Sequence, residues 1–173
     1  MKKAASKHAA ALTLLLVGEG DAEVAFLGLL KALYVHRGSG VAVTIKNAHG
    51  KGAGNVIDVA RRQCQNKGFD AVAALFDTDE GWNDSTRKTA KKHGILPLLC
   101  TPCLEALLLG IAGAPVEGLN TDQLKTRFKH HFGCDASALQ MAQHFNQALI
   151  ERKAADFPTL ANLVHLLKAG KAL

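Results

Sequence analysis

The sequence predicts an α/β fold, in which a mostly parallel four-stranded sheet is flanked by helices and followed by a helical extension. Over the first hundred residues, short apolar runs alternate with helix-forming segments. Strands separated by helices form a parallel sheet that is covered on both faces. From Pro115 onward no strand-like run remains. We therefore expect a Rossmann-like sheet domain over residues 1–114 and a helical extension packed on it over residues 115–173.

The first three predicted strands differ in their residue composition, but each is followed by a predicted helix. The first strand, 12–17, leads into a helix over 22–36 with an apolar stripe at helical spacing. The second strand, 41–45, is rich in Val and Thr and leads through a glycine-rich loop into a helix over 55–67. The third strand, 70–76, is a continuous apolar run, which is typical of a strand buried on both faces.

The remaining elements are predicted from their breaks. A polar helix over 84–93 ends at a glycine and precedes the fourth strand, 95–100. Pro102 then begins an apolar helix that runs to residue 112, because proline suits a first helical turn. In the extension, glycine and proline separate three predicted helices. These helices cover 119–132, 136–153 and 158–169.

Composition narrows the class of protein. The 173 residues carry a net charge of +6, which suits a polyanionic partner but is also common without one. Four scattered cysteines make no disulfide framework, so we expect reduced thiols and a cytoplasmic location. No apolar run approaches the length of a membrane span, so no membrane partner is expected. Residues 1–17 imitate a secretory signal but lack its small-x-small cleavage site.

The chemistry-bearing feature of the sequence is a set of acids at the ends of the first and third strands. Asp77, Asp79 and Glu80 follow the third strand, where open α/β sheets place their active sites. Glu19 follows the first strand between two glycines, and if the two strands are neighbours they lie about 4.8 Å apart. Glu19 would then share a cation with Asp77 and Asp79. Hard oxygen donors favour Mg²⁺ or Mn²⁺. The structural alternative for Asp77 and Asp79 is an Asx-type turn after the strand. For Glu19 it is an acid at a helix N-terminus, favoured by the helix dipole.

Two further residues are candidates for the same site. Glu105 lies in an apolar segment, where a carboxylate needs a cation, a metal or backbone N–H groups, or else caps its own helix. Lys51 lies in the glycine-rich loop and can neutralise phosphate charge, although a plain mobile loop is the alternative. No Gly-Lys-Ser/Thr opens the following helix, so the loop is not a Walker motif.

Three motifs in order resemble the Toprim domain family, most closely its RloB-like and OLD-family nuclease branches. The family pattern is Glu-Gly-x-Thr-Glu, then Asp-x-Asp-Glu, then Asn-Pro-Cys-Phe-Glu before an apolar helix. The matching residues are Glu19, Gly20 and Glu23, then Asp77, Asp79 and Glu80, then Pro102, Cys103 and Glu105. The resemblance spans residues 12–112. Ala22, Thr101 and Leu104 depart from the pattern, and a tryptophan usual in the third motif's helix is absent.

The resemblance implies a Toprim-type nuclease, a Mg²⁺- or Mn²⁺-dependent phosphodiesterase acting on DNA or RNA in phage or mobile-element defence. In that reading the metal ligands are Glu19, Asp77, Asp79 and Glu80. Glu19 or Glu23 relays a proton, Glu105 is an outer ligand, and Lys51 is an electrostatic helper. Because OLD-family nucleases carry an ATPase, a partner ATPase on a separate chain is also implied. The alternative is a non-catalytic Toprim-like module that binds nucleic acid or that ATPase.

Other residues allow minor readings. Cys100 and Cys103 have the spacing of a redox pair at a helix start. A receiver-like domain also places an aspartate at a strand end, but it fits the first strand's Glu-Gly-Asp poorly. Trp82 either stacks a base or anchors its loop. Three basic segments are candidate phosphate contacts. They cover residues 61–62, 87–93 and 125–131, the last with Lys125, Arg127, Lys129, His130 and His131.

Overall fold

The computed structural model describes residues 12–171, which form a parallel sheet with helices on both faces. In chain order the elements are β1 Leu12–Gly18, α1 Asp21–Tyr34, β2 Val41–Asn47, α2 Gly52–Asn66, β3 Ala71–Asp77, α3 Asp84–Lys92, β4 Ile95–Cys100, α4 Leu104–Ile111, α5 Thr121–Phe132, a 3₁₀ helix Leu139–His144, α6 Gln147–Ala154 and α7 Pro158–Ala169. The predicted α/β class is confirmed. Within the described range 12–171, no helix is long and apolar enough to cross a bilayer.

The sheet has the strand order β2-β1-β3-β4, and all of its pairings are parallel. β1 therefore lies between β2 and β3, as the expectation about Glu19 required. In the register of the central pair, Gly18 lies opposite Leu75, and the Glu19 amide donates to the Leu75 carbonyl at 3.0 Å. The carboxyl ends of β1 and β3 consequently meet at one edge of the sheet.

Alternation along the strands builds two cores of unequal size. Leu14 and Leu16 face the larger core, beneath α1, α4 and the extension helices, whereas Leu15 and Val17 face the smaller core beneath α2 and α3. The extension helices contribute directly to the larger core. Their fully buried side chains there include Leu124, Ile150, Leu160, Leu163 and Leu167.

The predicted single helix over 136–153 is wrong. The segment contains the 3₁₀ helix and α6, separated at Phe145 and Asn146. Phe145 is extended, with φ −126° and ψ 91°, and its side chain is buried in the larger core. The Asn146 side chain accepts from the Leu149 amide and so caps a new helix. The apolar spacing was present, but a buried anchor and a capping residue divide the segment.

Two helix starts also differ from prediction. α4 begins at Leu104 with Cys103 as its N-cap, so Pro102 precedes the helix and does not lie in its first turn. α2 begins at Gly52, within the predicted loop, and a Cβ on Gly52 would lie 3.2 Å from the Glu80 carbonyl oxygen. Because φ at Gly52 is also +71°, any other residue there would be strained. Of the signal-like segment, residues 12–17 belong to β1, and residues 1–11 lie outside the described residues.

Candidate functional site

An acidic cluster occupies the carboxyl edge of the sheet, where β1 and β3 end. Two acids follow from β1, as Glu19 in the turn and Glu23 in the first turn of α1. Asp77 is the last residue of β3, and Glu105 lies in the first turn of α4. The parallel topology brings these acids together from positions that span 86 residues of the chain, counted from Glu19 to Glu105.

Glu19 joins three elements through its carboxylate. Its Oε2 accepts from the Asp77 amide at 3.2 Å, and its Oε1 accepts from the Gly52 amide at 3.1 Å. Gly52 is the first residue of α2, so the carboxylate also meets the positive end of that helix. The expected proximity of Glu19 to Asp77 is therefore present, and it is made through the Asp77 backbone.

Glu23 is buried, with 6% of its surface exposed, and its Oε2 accepts from the Gly20 amide at 2.9 Å. Burial raises the pKa of this carboxyl, and the charges of Glu19 and Glu105 raise it further, against the lowering effect of its backbone hydrogen bonds. Glu23 approaches β1 closely, since a Cβ on Gly18 would lie 2.9 Å from the Glu23 Cβ.

Asp77 is the most perturbed acid of the cluster. Burial, together with the nearby charges of Glu23, Glu105 and Asp79, raises its pKa to about 8. Its Oδ1 accepts one hydrogen bond, from the Leu104 amide at 2.9 Å, which lowers the pKa without offsetting the other effects. Without a cation, this carboxyl is therefore mostly protonated at neutral pH.

Glu105 completes the buried part of the cluster, with 9% of its surface exposed. Its charge raises the pKa of Glu23 and of Asp77. Among the residues that the structure describes, no salt bridge joins a lysine, arginine or histidine to any acid of the cluster. The cluster is thus a set of mutually repelling carboxylates held together by backbone amides.

Asp79 and Glu80 are exposed and point to different neighbours. The Asp79 Oδ2 accepts from the Thr121 hydroxyl at 3.0 Å, which ties the turn after β3 to the first residue of α5. The Glu80 carbonyl accepts from the Ala53 amide at 3.2 Å, on the α2 side. The structure therefore places Asp79 within electrostatic reach of Asp77, while Glu80 lies toward a neighbouring groove.

Lys51 lies beside this cluster rather than within it. It occupies a left-handed conformation, with φ 73°, immediately before α2. Its neighbours Gly50 and Gly52 donate their amides to Glu19, at 2.8 Å to the carbonyl and 3.1 Å to the carboxylate. The exposed Lys51 lines a groove of about 340 Å³ between the starts of α2 and α3, together with Glu80 and Thr86.

Sequence reasoning missed the contact of Thr121 with the acids and assigned Lys125 to a phosphate-binding segment instead. Thr121 donates to Asp79, and Lys125 lies one helical turn later, so both occupy one face of the helix. Burial lowers the pKa of Lys125, but the charges of Glu105, Asp77 and Asp79 outweigh this effect and leave the pKa raised. The available signal was the spacing of Thr121 and Lys125, which does not by itself identify the partner.

The donors of the cluster suit a hard divalent cation in kind, since carboxylate oxygens are preferred by Mg²⁺ and Mn²⁺. Burial and the negative charges of neighbouring acids raise the pKa values of Asp77 and Glu23, and such a cation would offset those charges. Across residues 12–171, however, no three His, Cys, Asp or Glu side chains are arranged to hold a metal ion. The carboxylates of Glu19, Glu23 and Asp77 instead accept hydrogen bonds from backbone amides.

No protein-family model, curated protein or solved structure matches this chain. The function is therefore argued from the chemistry of the site, because one fold supports many activities.

The minor readings of the sequence are disfavoured by the surroundings of their residues. Cys100 and Cys103 are both buried, and burial raises the pKa of each thiol, to about 12 for Cys103, so neither is a ready thiolate. Trp82 packs on Phe76 with ring centroids 5.1 Å apart, and Arg87 lies over its ring at 5.3 Å. These contacts favour loop anchoring over base stacking.

Several predicted phosphate contacts already have partners in the chain. Arg61 pairs with Asp58 at 2.6 Å, and Lys129 pairs with Asp135 at 3.3 Å. The Arg127 guanidinium donates to the carbonyl of residue 115 at 2.6 Å. Burial lowers the pKa of Lys125, but the charges of Glu105, Asp77 and Asp79 leave it raised. A nucleic acid that binds these segments would therefore compete with existing ion pairs.

Proposed function

We propose that this chain is a Mg²⁺- or Mn²⁺-dependent phosphodiesterase that cleaves DNA or RNA, of the Toprim type that its motifs resemble. The observation that carries the proposal is the partly buried, mutually repelling set of carboxylates at the carboxyl edge of the sheet, with the pKa of Asp77 raised to about 8. Strongly perturbed carboxyls at such an edge are typical of functional sites.

In this proposal Glu19, Asp77 and Asp79 hold the metal, with Glu80 at the periphery. When bound, Mg²⁺ supplies an activated water and positive charge for the scissile phosphate. Glu23, whose pKa is raised by burial, is suited to hold and return a proton. The negative charge of Glu105 raises the pKa of Asp77. Lys51 offers an ammonium group to a phosphate in the adjacent groove.

A polyanionic substrate is supported by the net charge of +6. The acids alone would repel a phosphate backbone, so binding has to come from basic residues outside the cluster. Exposed Lys88, Lys91 and Lys92 on α3 are available for this purpose. A role in phage or mobile-element defence rests on the motif resemblance alone.

A second candidate is a non-catalytic module that binds nucleic acid or a partner ATPase on a separate chain. One observation favours it: the acids already accept hydrogen bonds that connect separate helices and strands. The carboxylate of Glu19 joins β3 to α2, that of Asp77 accepts from α4, and that of Asp79 accepts from α5. In this reading the acids stabilise the loops and need no metal.

Cleavage assays separate the two candidates. Labelled single- and double-stranded DNA and RNA are incubated with the protein in Mg²⁺, in Mn²⁺ and in EDTA. Asp77→Asn removes the ionisable group while keeping an oxygen for the Leu104 amide, and Asp84→Asn is the matched control, because Asp84 is exposed on α3. We expect cleavage that EDTA and Asp77→Asn abolish and Asp84→Asn preserves. Salt-sensitive binding without cleavage would support the module instead.

A further inference from the structure

The outer face of α3 carries a large share of the positive charge of the chain. Residues 84–93 contain four lysines and arginines and one acid, so this segment contributes +3 to the net charge of +6. At 100° per residue, the four cations fall within an arc of about 140° on one side of the helix. All four are exposed, and together they form the α3 basic face, which consists of Arg87, Lys88, Lys91 and Lys92.

The packing of α3 does not depend on these cations. Ala90 is the one buried residue of the helix. The helix is held at its start, where the Asn83 side chain accepts from the amides of Ser85 and Thr86 at 3.0 and 3.1 Å. The Thr86 hydroxyl also donates to the Gly81 carbonyl at 2.9 Å. The charges of the outer face therefore contribute little to the attachment of the helix to the sheet.

The α3 basic face is also the least neutralised of the three basic segments. Within residues 12–171, no salt bridge involves Lys88, Lys91 or Lys92. Arg87 reaches Asp84 at 3.7 Å, but the two side chains are 61% and 88% exposed, and such a pair contributes little. The other two segments contain residues that pair with acids at 2.6–3.3 Å. A polyanion can therefore bind α3 with little loss of existing ion pairs.

The composition of this face fits a phosphate backbone better than a protein partner. Protein interfaces have a core enriched in aromatic residues and depleted in lysine. Along α3, which the structure describes throughout, no apolar side chain is exposed. The hydroxyl of Ser85 instead adjoins the cations, about 20° around the helix from Lys92. Lysine, arginine and hydroxyl groups are the usual donors to phosphate oxygens.

The direction of α3 places the basic face away from the acidic cluster. The helix follows β3 and precedes β4, and these strands are parallel, so α3 runs back along the sheet from the edge that carries Asp77. With a rise of 1.5 Å per residue, Lys92 lies about 12 Å along the helix axis from Asp84. The Debye length at physiological salt is about 8 Å. Phosphates bound along α3 are thus largely screened from the repulsion of the acids.

We propose that the α3 basic face binds the phosphate backbone of DNA or RNA, without regard to sequence and independently of the acidic cluster. The strand lies along the helix and borders the groove that Ser85, Thr86 and Lys51 line. A nucleic acid as the partner rests on the proposed function, whereas binding at this face requires neither metal nor cleavage. Each phosphate that a lysine neutralises releases counterions, so binding is weakened by salt.

The test measures binding of fluorescein-labelled single-stranded and duplex DNA by anisotropy, in EDTA and between about 50 and 200 mM salt. The variant carries Lys88→Gln and Lys92→Gln together, since glutamine is a good helix former. We expect its affinity at about 50 mM salt to fall about tenfold on probes of different sequence. The slope of log Kd against log salt should become shallower by about two on the duplex and by about 1.5 on the single strand.

Two control variants separate this face from net charge. Lys129→Gln with Lys168→Gln removes the same charge from α5 and α7, and it should bind within about twofold of the parent. Lys88→Arg with Lys92→Arg keeps the charge and should bind like the parent. Equal losses in the two glutamine variants would show that net charge alone drives binding and would overturn the proposal. Parent-like binding by the α3 glutamine variant, or no binding by the parent, would also overturn it.

An acidic protein is the competing partner, and polyglutamate is the probe for it. We expect unlabelled DNA to displace the labelled strand at a much lower concentration of charge than polyglutamate does. Equal displacement would indicate an acidic protein partner and overturn the proposal. Because these measurements are made in EDTA, they do not depend on catalysis. Salt-sensitive binding through α3 without cleavage in Mg²⁺ or Mn²⁺ would count against the nuclease and support this inference.

Discussion

The substitution Asp77→Asn should make the protein more stable at alkaline pH. In the folded protein, burial and the charges of Glu23 and Glu105 raise the pKa of Asp77 to about 8, against an ordinary value of 3.8. Between these two pH values the folded state holds a proton that the unfolded state has lost. The free energy of unfolding therefore falls as pH rises from about 4 to about 8, and the contribution of the neutral carboxyl is fully present only below that window.

The size of the effect follows from the difference between the two pKa values. At roughly 1.4 kcal/mol per pKa unit, the full difference corresponds to about 5–6 kcal/mol. Glu23 is raised by the same cluster and shares part of this free energy. For Asp77→Asn alone we expect about 2–4 kcal/mol of added stability at pH 9, about a third of that at pH 5, and about none below pH 4. The asparagine oxygen still accepts from the Leu104 amide, so the backbone contact is kept.

Urea unfolding in EDTA at pH 5, 7 and 9 measures this difference. Asp84→Asn is the control, because the Asp84 side chain is 88% exposed and lies outside the cluster. Its stability should follow that of the parent at every pH. If Asp77→Asn is destabilised at all three pH values, or if its difference from the parent does not grow with pH, then Asp77 is not held protonated by its surroundings. The cluster would then lack the perturbed carboxyl expected of a functional site.

Three further predictions test the structure around the cluster. Glu19→Gln removes one acceptor oxygen and should lower the free energy of unfolding by about 1–2 kcal/mol. Hydrogen–deuterium exchange should also become faster at the Gly52 amide. Unchanged exchange there would contradict a role of Glu19 in holding the start of α2. Gly18→Ala introduces a Cβ that would lie 2.9 Å from the Glu23 Cβ, so chemical denaturation should show a loss of about 1–3 kcal/mol, and a neutral result would mean that the contact relaxes freely. Cys103, buried and with its pKa raised to about 12, should react with a thiol reagent only after unfolding, and rapid labelling in the native state would refute its burial.

Much of the fold was predictable because the strands carry local signals. Their apolar runs and the intervening helices indicated a parallel sheet, and the adjacency of β1 and β3 was a condition for the acids to meet, which the strand order meets. The extension was harder to predict. Apolar spacing from Ala136 to Ile150 continues through Phe145, but the burial of Phe145 and the cap at Asn146 divide the segment. Such a break depends on tertiary packing that periodicity does not report.

The site was predictable only in part, for a related reason. Strand ends told us where Glu19 and Asp77 lie, since the carboxyl ends of parallel strands meet. Thr121 lies 42 residues after Asp79 in sequence, and its hydrogen bond to Asp79 depends on how α5 packs on α4. The backbone partners of the carboxylates were also unforeseen, because an amide donor such as that of Gly52 leaves no mark in the side-chain pattern.

The unequal size of the two cores affects how readily the hydrogen bond between Glu19 and Gly52 opens. The layer of α2 and α3 rests on the smaller core, so it should detach at a lower free energy than the layer that contains α1 and α7. Detachment of α2 breaks the hydrogen bond between the Gly52 amide and Glu19 Oε1, while Oε2 still accepts from the Asp77 amide. Any ligand that captures the released Oε1 therefore favours the opened form. Ligand binding at Glu19 should therefore lower the protection of the Gly52 amide from hydrogen exchange. Each of these two quantities can then be used to follow the other.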